Sequence, residues 1–91
     1  MADALIDIHI VEIDSSTYQV TIAARTTTTH IVILQPDYAQ KLNHRRFDYI
    51  SLLKKSFEFL LAREPNTSIL RSFDLSVNSR YFSEYDQEMR K

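Results

Sequence analysis

"LLAREPNTSILRSFDLS", Leu60 to Ser76, decides where the helices of this chain end and how many elements follow them. Pro65 disfavours the α region for Glu64, so the helix carrying Leu60 and Leu61 stops there. Asn66, Thr67 and Ser68 are helix-capping side chains, and the spacing predicts a one-turn helix over "SILRSF", Ser68 to Phe73. Asp74 or Ser76 then caps a last helix, in which Val77, Tyr81, Phe82, Tyr85 and Met89 share a stripe. On this reading the stretch is a joint between packed helices, not a site.

Working back from that joint, the main helix starts at Asp48 as N-cap, with Phe47 and Leu52 in the two staple positions. Tyr49, Ile50, Leu53, Phe57, Leu60 and Leu61 form one apolar arc. Leu52 and Phe59 widen it to roughly 200°, where one core needs about 100°. An arc that wide implies packing on two sides. A shorter helix precedes it, opened by Pro36 at a first-turn position where the missing N–H costs nothing.

The first third reads as strands. Ile6, Ile8 and Ile10 alternate with Asp7 and His9, and the apolar parity shifts at Val11 and Ile13, which suggests a bulge or a twist. Asp14-Ser15-Ser16 is a turn built without glycine. Tyr18, Val20, Ile22 and Ala24 alternate with polar or small neighbours, so the two strands form a hairpin. "RTTTT" reads as solvated strand and turn, with His30 at the start of a third strand. Ile31 to Leu34 are four consecutive apolar residues, which predicts a strand covered on both faces.

The expected fold is therefore α+β in a single domain of 91 residues. A three-stranded antiparallel sheet occupies residues 1–34. A short helix and one long helix follow within 36–64. A one-turn helix and a C-terminal helix fill 66–91, all helices packed on one face.

Composition narrows the chemistry. There is no glycine where average usage would give about six, so phosphate-cradling loops, dinucleotide fingerprints and nucleophile elbows are excluded. There is no cysteine, so disulfides and thiolate metal sites are excluded too. His9, His30 and His44 show no ligand spacing, and Asp48, Glu58, Glu64 and Asp74 do not converge. No enzyme, no metal and no cofactor is the expectation. Acids rather than bases fill the N-terminal stretch, and the longest uncharged run, Thr26 to Pro36, is too short to span a bilayer. That points to a cytoplasmic chain with no membrane partner.

Net charge is −1 but unevenly spread. Residues 25–63 hold seven bases against three acids, and Lys41, Arg45, Arg46, Lys54 and Lys55, with His44, form a candidate anion or phosphate patch. Leu52, Phe59, Arg80, Tyr81, Phe82 and Tyr85 are the candidate partner surface, being the residue types found at interface centres. Leu52 and Phe59 in particular form the seam of a homodimer if the C-terminal helix leaves them uncovered. Asn78 falls inside the apolar stripe and needs a polar partner there. The function expected is a non-enzymatic protein-interaction or regulatory module whose partner the residues do not name. The alternative is a ribbon-helix-helix-like regulator, because "THIVILQPDYAQKL" followed by a helix has that order. Its candidate ribbon is apolar, which disfavours nucleic acid.

"SFEFLLAREPNTSILRSFDLSV" with "RYFSEY", spanning Ser56 to Tyr85, resembles a small family of uncharacterised bacterial proteins with an F-LL-REP--SIL--FDL signature. The resemblance covers about the C-terminal third. It implies a bacterial cytosolic origin and supplies no activity or catalytic residue. This chain departs from the pattern at Asn78, where the family has a larger apolar residue, and at Ser83, where it has proline, so the last helix is expected to pack differently.

Overall fold

A computed structural model describes residues 6–42 and 48–90. Its frame is a four-stranded sheet in sequence order: β1 (Asp7–Glu12), β2 (Thr17–Ala23), β3 (Thr27–Ile33) and β4 (Ser72–Asp74). The first three strands pair antiparallel as a meander. β4 returns from far along the chain to lie parallel to β3, with Phe73 opposite Val32. The helices are α1 (Pro36–Lys41), α2 (Tyr49–Leu61), α3 (Val77–Tyr81) and α4 (Tyr85–Met89).

The first turn forms as its residues dictate. Asp14 Oδ1 accepts the Ser16 backbone N–H at 2.9 Å, and that bond holds the Asp14 carboxyl below its usual range. Strand alternation then places Tyr18, Val20 and Ile22 of β2 with Val32 of β3 in the core. β1 and β2 run in unbroken register from Asp7–Ala23 to Glu12–Tyr18, so no bulge forms within the strand and Val11 turns to the outer face instead; only at the turn do Ile13 and Asp14 both donate to the Thr17 carbonyl.

Four further expectations are corrected. The sheet has four strands of mixed direction, because the residues expected to form a one-turn helix split into two elements. Asn66–Ser68 is a 3-10 turn, and Ser72–Asp74 is extended. Phe73 is large, apolar and flanked by polar residues, the pattern of a short strand with one buried face. Asp74 then ends that strand: its Oδ1 accepts both the N–H and the hydroxyl of Ser76, at 3.0 and 2.8 Å.

The third strand is not covered on both faces. Val32 is buried, whereas Ile31 and Ile33 are half-exposed on the sheet face opposite the core, where no helix packs among the described residues. The C-terminal helix is two short helices, broken at Phe82, whose backbone is extended (φ −129°, ψ 105°). That break turns Phe82 edge-on to Phe59, ring centroids 5.5 Å apart. Finally, Leu52 and Phe59 belong to the core of this chain. α4 covers Phe59 through Tyr85, centroids 5.3 Å apart, so the expected dimer seam is closed by the chain itself.

The helices sit on one side of the sheet, and the shortest dimension of the molecule is 19 Å. One helix layer is about 10–12 Å across, so this is one sheet under one layer of helices. Among the described residues, no helix is long and apolar enough to cross a membrane.

Candidate functional site

Two buried polar networks and one cleft hold the chemistry of the described residues. The first network joins β3 to the 3-10 turn. His30 is fully buried, and its Nδ1 lies 2.7 Å from the Leu70 carbonyl oxygen, which only accepts. Nδ1 therefore carries a proton, and in the neutral ring Nε2 accepts from Thr28 Oγ1 at 2.9 Å. The Thr28 oxygen in turn accepts from Asn66 Nδ2 at 2.8 Å, and the same Nδ2 donates to the Thr26 carbonyl at 2.8 Å. Both ring nitrogens are committed to holding the segment after Pro65 against the sheet. The ring also lies 5.6 Å from that of Phe57. His30 is a fastener.

The second network joins α2 to α4. Ser56 Oγ donates to the Leu52 carbonyl at 2.8 Å, so the Tyr85 hydroxyl, 2.5 Å away, donates to Ser56. Met89 Sδ lies 3.4 Å from the same oxygen. Burial pushes the Tyr85 hydroxyl up to about 12, against Ser56 and Asn78, which favour its ionised form. Asn78 exerts that influence without the distance or alignment of a hydrogen bond. Its Nδ2 is buried with no partner.

Asn78 also lines the cleft, a space of about 380 Å³ between the C-terminal end of α2, the Ile69–Phe73 segment and α3. The walls are apolar: Leu60, Ile69, Phe73, Val77 and Phe82. Two large side chains stand exposed at its edge, Leu70 at 50% and Tyr81 at 71%. Its other polar liners are Glu64 and Ser68. Nearby, Arg63 lies 3.6 Å over the Phe59 ring, donates to the Phe59 carbonyl and pairs with Glu84 at 3.1 Å. The Glu84 carboxyl is held below its usual range by its own backbone N–H and then by Arg63.

The sequence-derived partner surface is thus divided. Leu52, Phe59 and Tyr85 are interior, while Arg80 and Tyr81 are exposed and Phe82 is half-buried. Arg45 and Arg46 of the expected anion patch, with His44, lie outside the described residues. Lys41 and Lys54 are exposed, and half-buried Lys55 directs Nζ to the Met89 carbonyl at 3.5 Å. Asp48 stands at the N-cap of α2 as expected but makes no side-chain capping bond.

Sequence reasoning missed Leu70, Ile69 and Phe73 as cleft walls and Thr28, His30 and Asn66 as one network. Parity carried a signal for the network: counting back by twos from Leu34 and Val32 puts His30 and Thr28 on the core face. Compared with known proteins, the chain matches no family model, no curated protein and no solved structure.

Proposed function

We propose that this chain is a non-enzymatic, cytoplasmic protein-interaction module that takes an apolar anchor side chain of a partner protein into the cleft beside α3. The cleft carries this reading: an apolar space of about 380 Å³ with Leu70 and Tyr81 exposed at its edge and an unpartnered amide, Asn78 Nδ2, in its wall. Exposed aromatic and aliphatic groups around an apolar pocket are what a partner's anchor residue covers. An acceptor beside that anchor, such as a main-chain carbonyl, matches the spare donor of Asn78 once the side chain turns toward it. The cleft's polar liners include no imidazole or basic side chain, and His30 is consumed by the fold. The ribbon-helix-helix alternative has less support, because β3 is paired on both edges and offers no free ribbon.

Selection from a displayed peptide library tests this. Selected peptides are expected to carry a large apolar residue and to shift the amide resonances of Leu70, Asn78 and Tyr81 on binding. Tyr81→Ala should weaken them about thirtyfold, as a central aromatic contact of about 2 kcal/mol implies. Peptides that bind tightly elsewhere, or that ignore both Tyr81→Ala and Leu70→Asp, overturn the reading.

A further inference from the structure

β1 is an edge of the sheet, and half of the exposed large hydrophobic side chains among the described residues lie along it. Of the large hydrophobic side chains that are exposed, Ile6 (47%), Val11 (47%) and Ile13 (54%) lie in or beside this one strand. Ile8 and Ile10, which face the core, are only half-buried, and among the described residues no strand pairs with the outer side of β1. Natural edges are blunted by proline, by charged side chains, lysine above all, or by a bulge. β1 has no proline, lysine or bulge, its two acids, Asp7 and Glu12, stand at its ends, and its register with β2 is continuous.

The backbone phase of the edge follows from one bond. Ile13 N–H donates to the Thr17 carbonyl at 2.8 Å, so odd-numbered residues of β1 direct their N–H and C=O groups toward β2. The main-chain groups of Ile8 and Ile10 point the other way, off the sheet. We propose that a second copy of this chain pairs antiparallel with that edge about a two-fold axis at His9, giving one continuous eight-stranded sheet.

The register argues for a second copy. A two-fold through the sheet keeps each residue on its own face, so only residues of equal parity pair. With the axis at His9, Ile8 pairs with Ile10 of the other copy, twice. Each of the two half-buried core-side residues, already opposite Ile22 or Val20 of β2, then gains a second cross-strand apolar neighbour on its open side. On the outer face, Asp7 meets Val11 of the other copy and His9 meets its own copy across the axis, so no acid opposes an acid. This two-fold contact is independent of the cleft, which lies by α3.

The register makes a charge test available. Val11 is exposed, and its neighbour within the chain is Gln19, so a charge there leaves the protomer's packing untouched. In the dimer, Val11→Asp sets two carboxylates against Asp7 of the other copy, once on each side of the axis, whereas Val11→Lys sets two opposite-charge pairs. Two cross-strand pairs of about 0.7 kcal/mol predict a dimer about tenfold weaker for Val11→Asp and about tenfold stronger for Val11→Lys. Adding Asp7→Lys to Val11→Asp should restore association. Sedimentation equilibrium over a concentration series reads all four proteins, with circular dichroism verifying the fold. A protein that stays monomeric at every concentration, or a dimer indifferent to the sign of charge at position 11, overturns the proposal.

Discussion

Two buried asparagines make opposite contributions. Asn66 gives its Nδ2 protons to Thr26 and Thr28 and so completes the chain that ends at His30. Asn78 has an equally buried Nδ2 with no partner. A buried donor left unpaired costs about 1–3 kcal/mol. Asn66→Ala should therefore destabilise the protein by about 1–3 kcal/mol in urea titration, while Asn78→Leu should stabilise it by about 1 kcal/mol. If the cleft is the partner site, the stabilised Asn78→Leu protein also loses partner affinity, since such conflicts are retained where function needs them. Only half of this contrast was legible beforehand. Asn78 stood out because an amide interrupts an apolar stripe. Asn66 looked like an ordinary cap, since its partners are 38 to 40 residues away and no local pattern reveals them.

Between elements, one buried hydroxyl titrates within the tie from α2 to α4. Tyr85 is buried and donates to Ser56, and its folded value of about 12 stands above the ordinary 10. The folded state therefore holds the proton that the unfolded chain releases. The stabilisation is fully present below pH 10 and is lost as pH rises from 10 to about 12, about 2–3 kcal/mol in all. Tyr85→Phe should flatten that part of the alkaline stability curve, at about 1 kcal/mol in lost hydrogen bonding at neutral pH. The residual slope belongs to Tyr38, whose hydroxyl is also raised, by burial first and then by its 2.7 Å bond to Asp86. Elements with their own periodicity were legible: β2, α1 and α2 fall close to where alternation and 3.6-residue spacing put them. β4 and the α3–α4 break were not. Three residues of strand carry too little period to outweigh the capping signals around them, and Phe82 leaves the helix to meet Phe59, a tertiary cause.

At the scale of the whole molecule, one helix layer on one sheet explains why an all-apolar third strand misled. A two-sided hydrophobic run implies two coverings, yet the protein supplies one. Ile31 and Ile33 sit among Gln19, Thr17 and Thr29 on the open face, where these neighbours half-cover them. The wide arc of α2 misled in the same direction. Its second side is covered by α4 of the same chain, so an apolar surface expected between molecules turned out to lie within one.

The strand order also has a consequence in time. β1, β2 and β3 are joined by short turns, whereas β4 pairs with β3 only after the chain between Ile33 and Ser72 has been made and gathered in. Closing that long loop carries an entropic cost that the hairpins do not. The meander is therefore the early structure and β4 the late arrival. Conservative truncations should separate the two: Val20→Ala is expected to slow refolding, while Phe73→Ala is expected chiefly to speed unfolding. A chain still being synthesised would show the same order, its outer hairpins paired while the inner edge of β3 waits, unclosed, for a strand not yet translated.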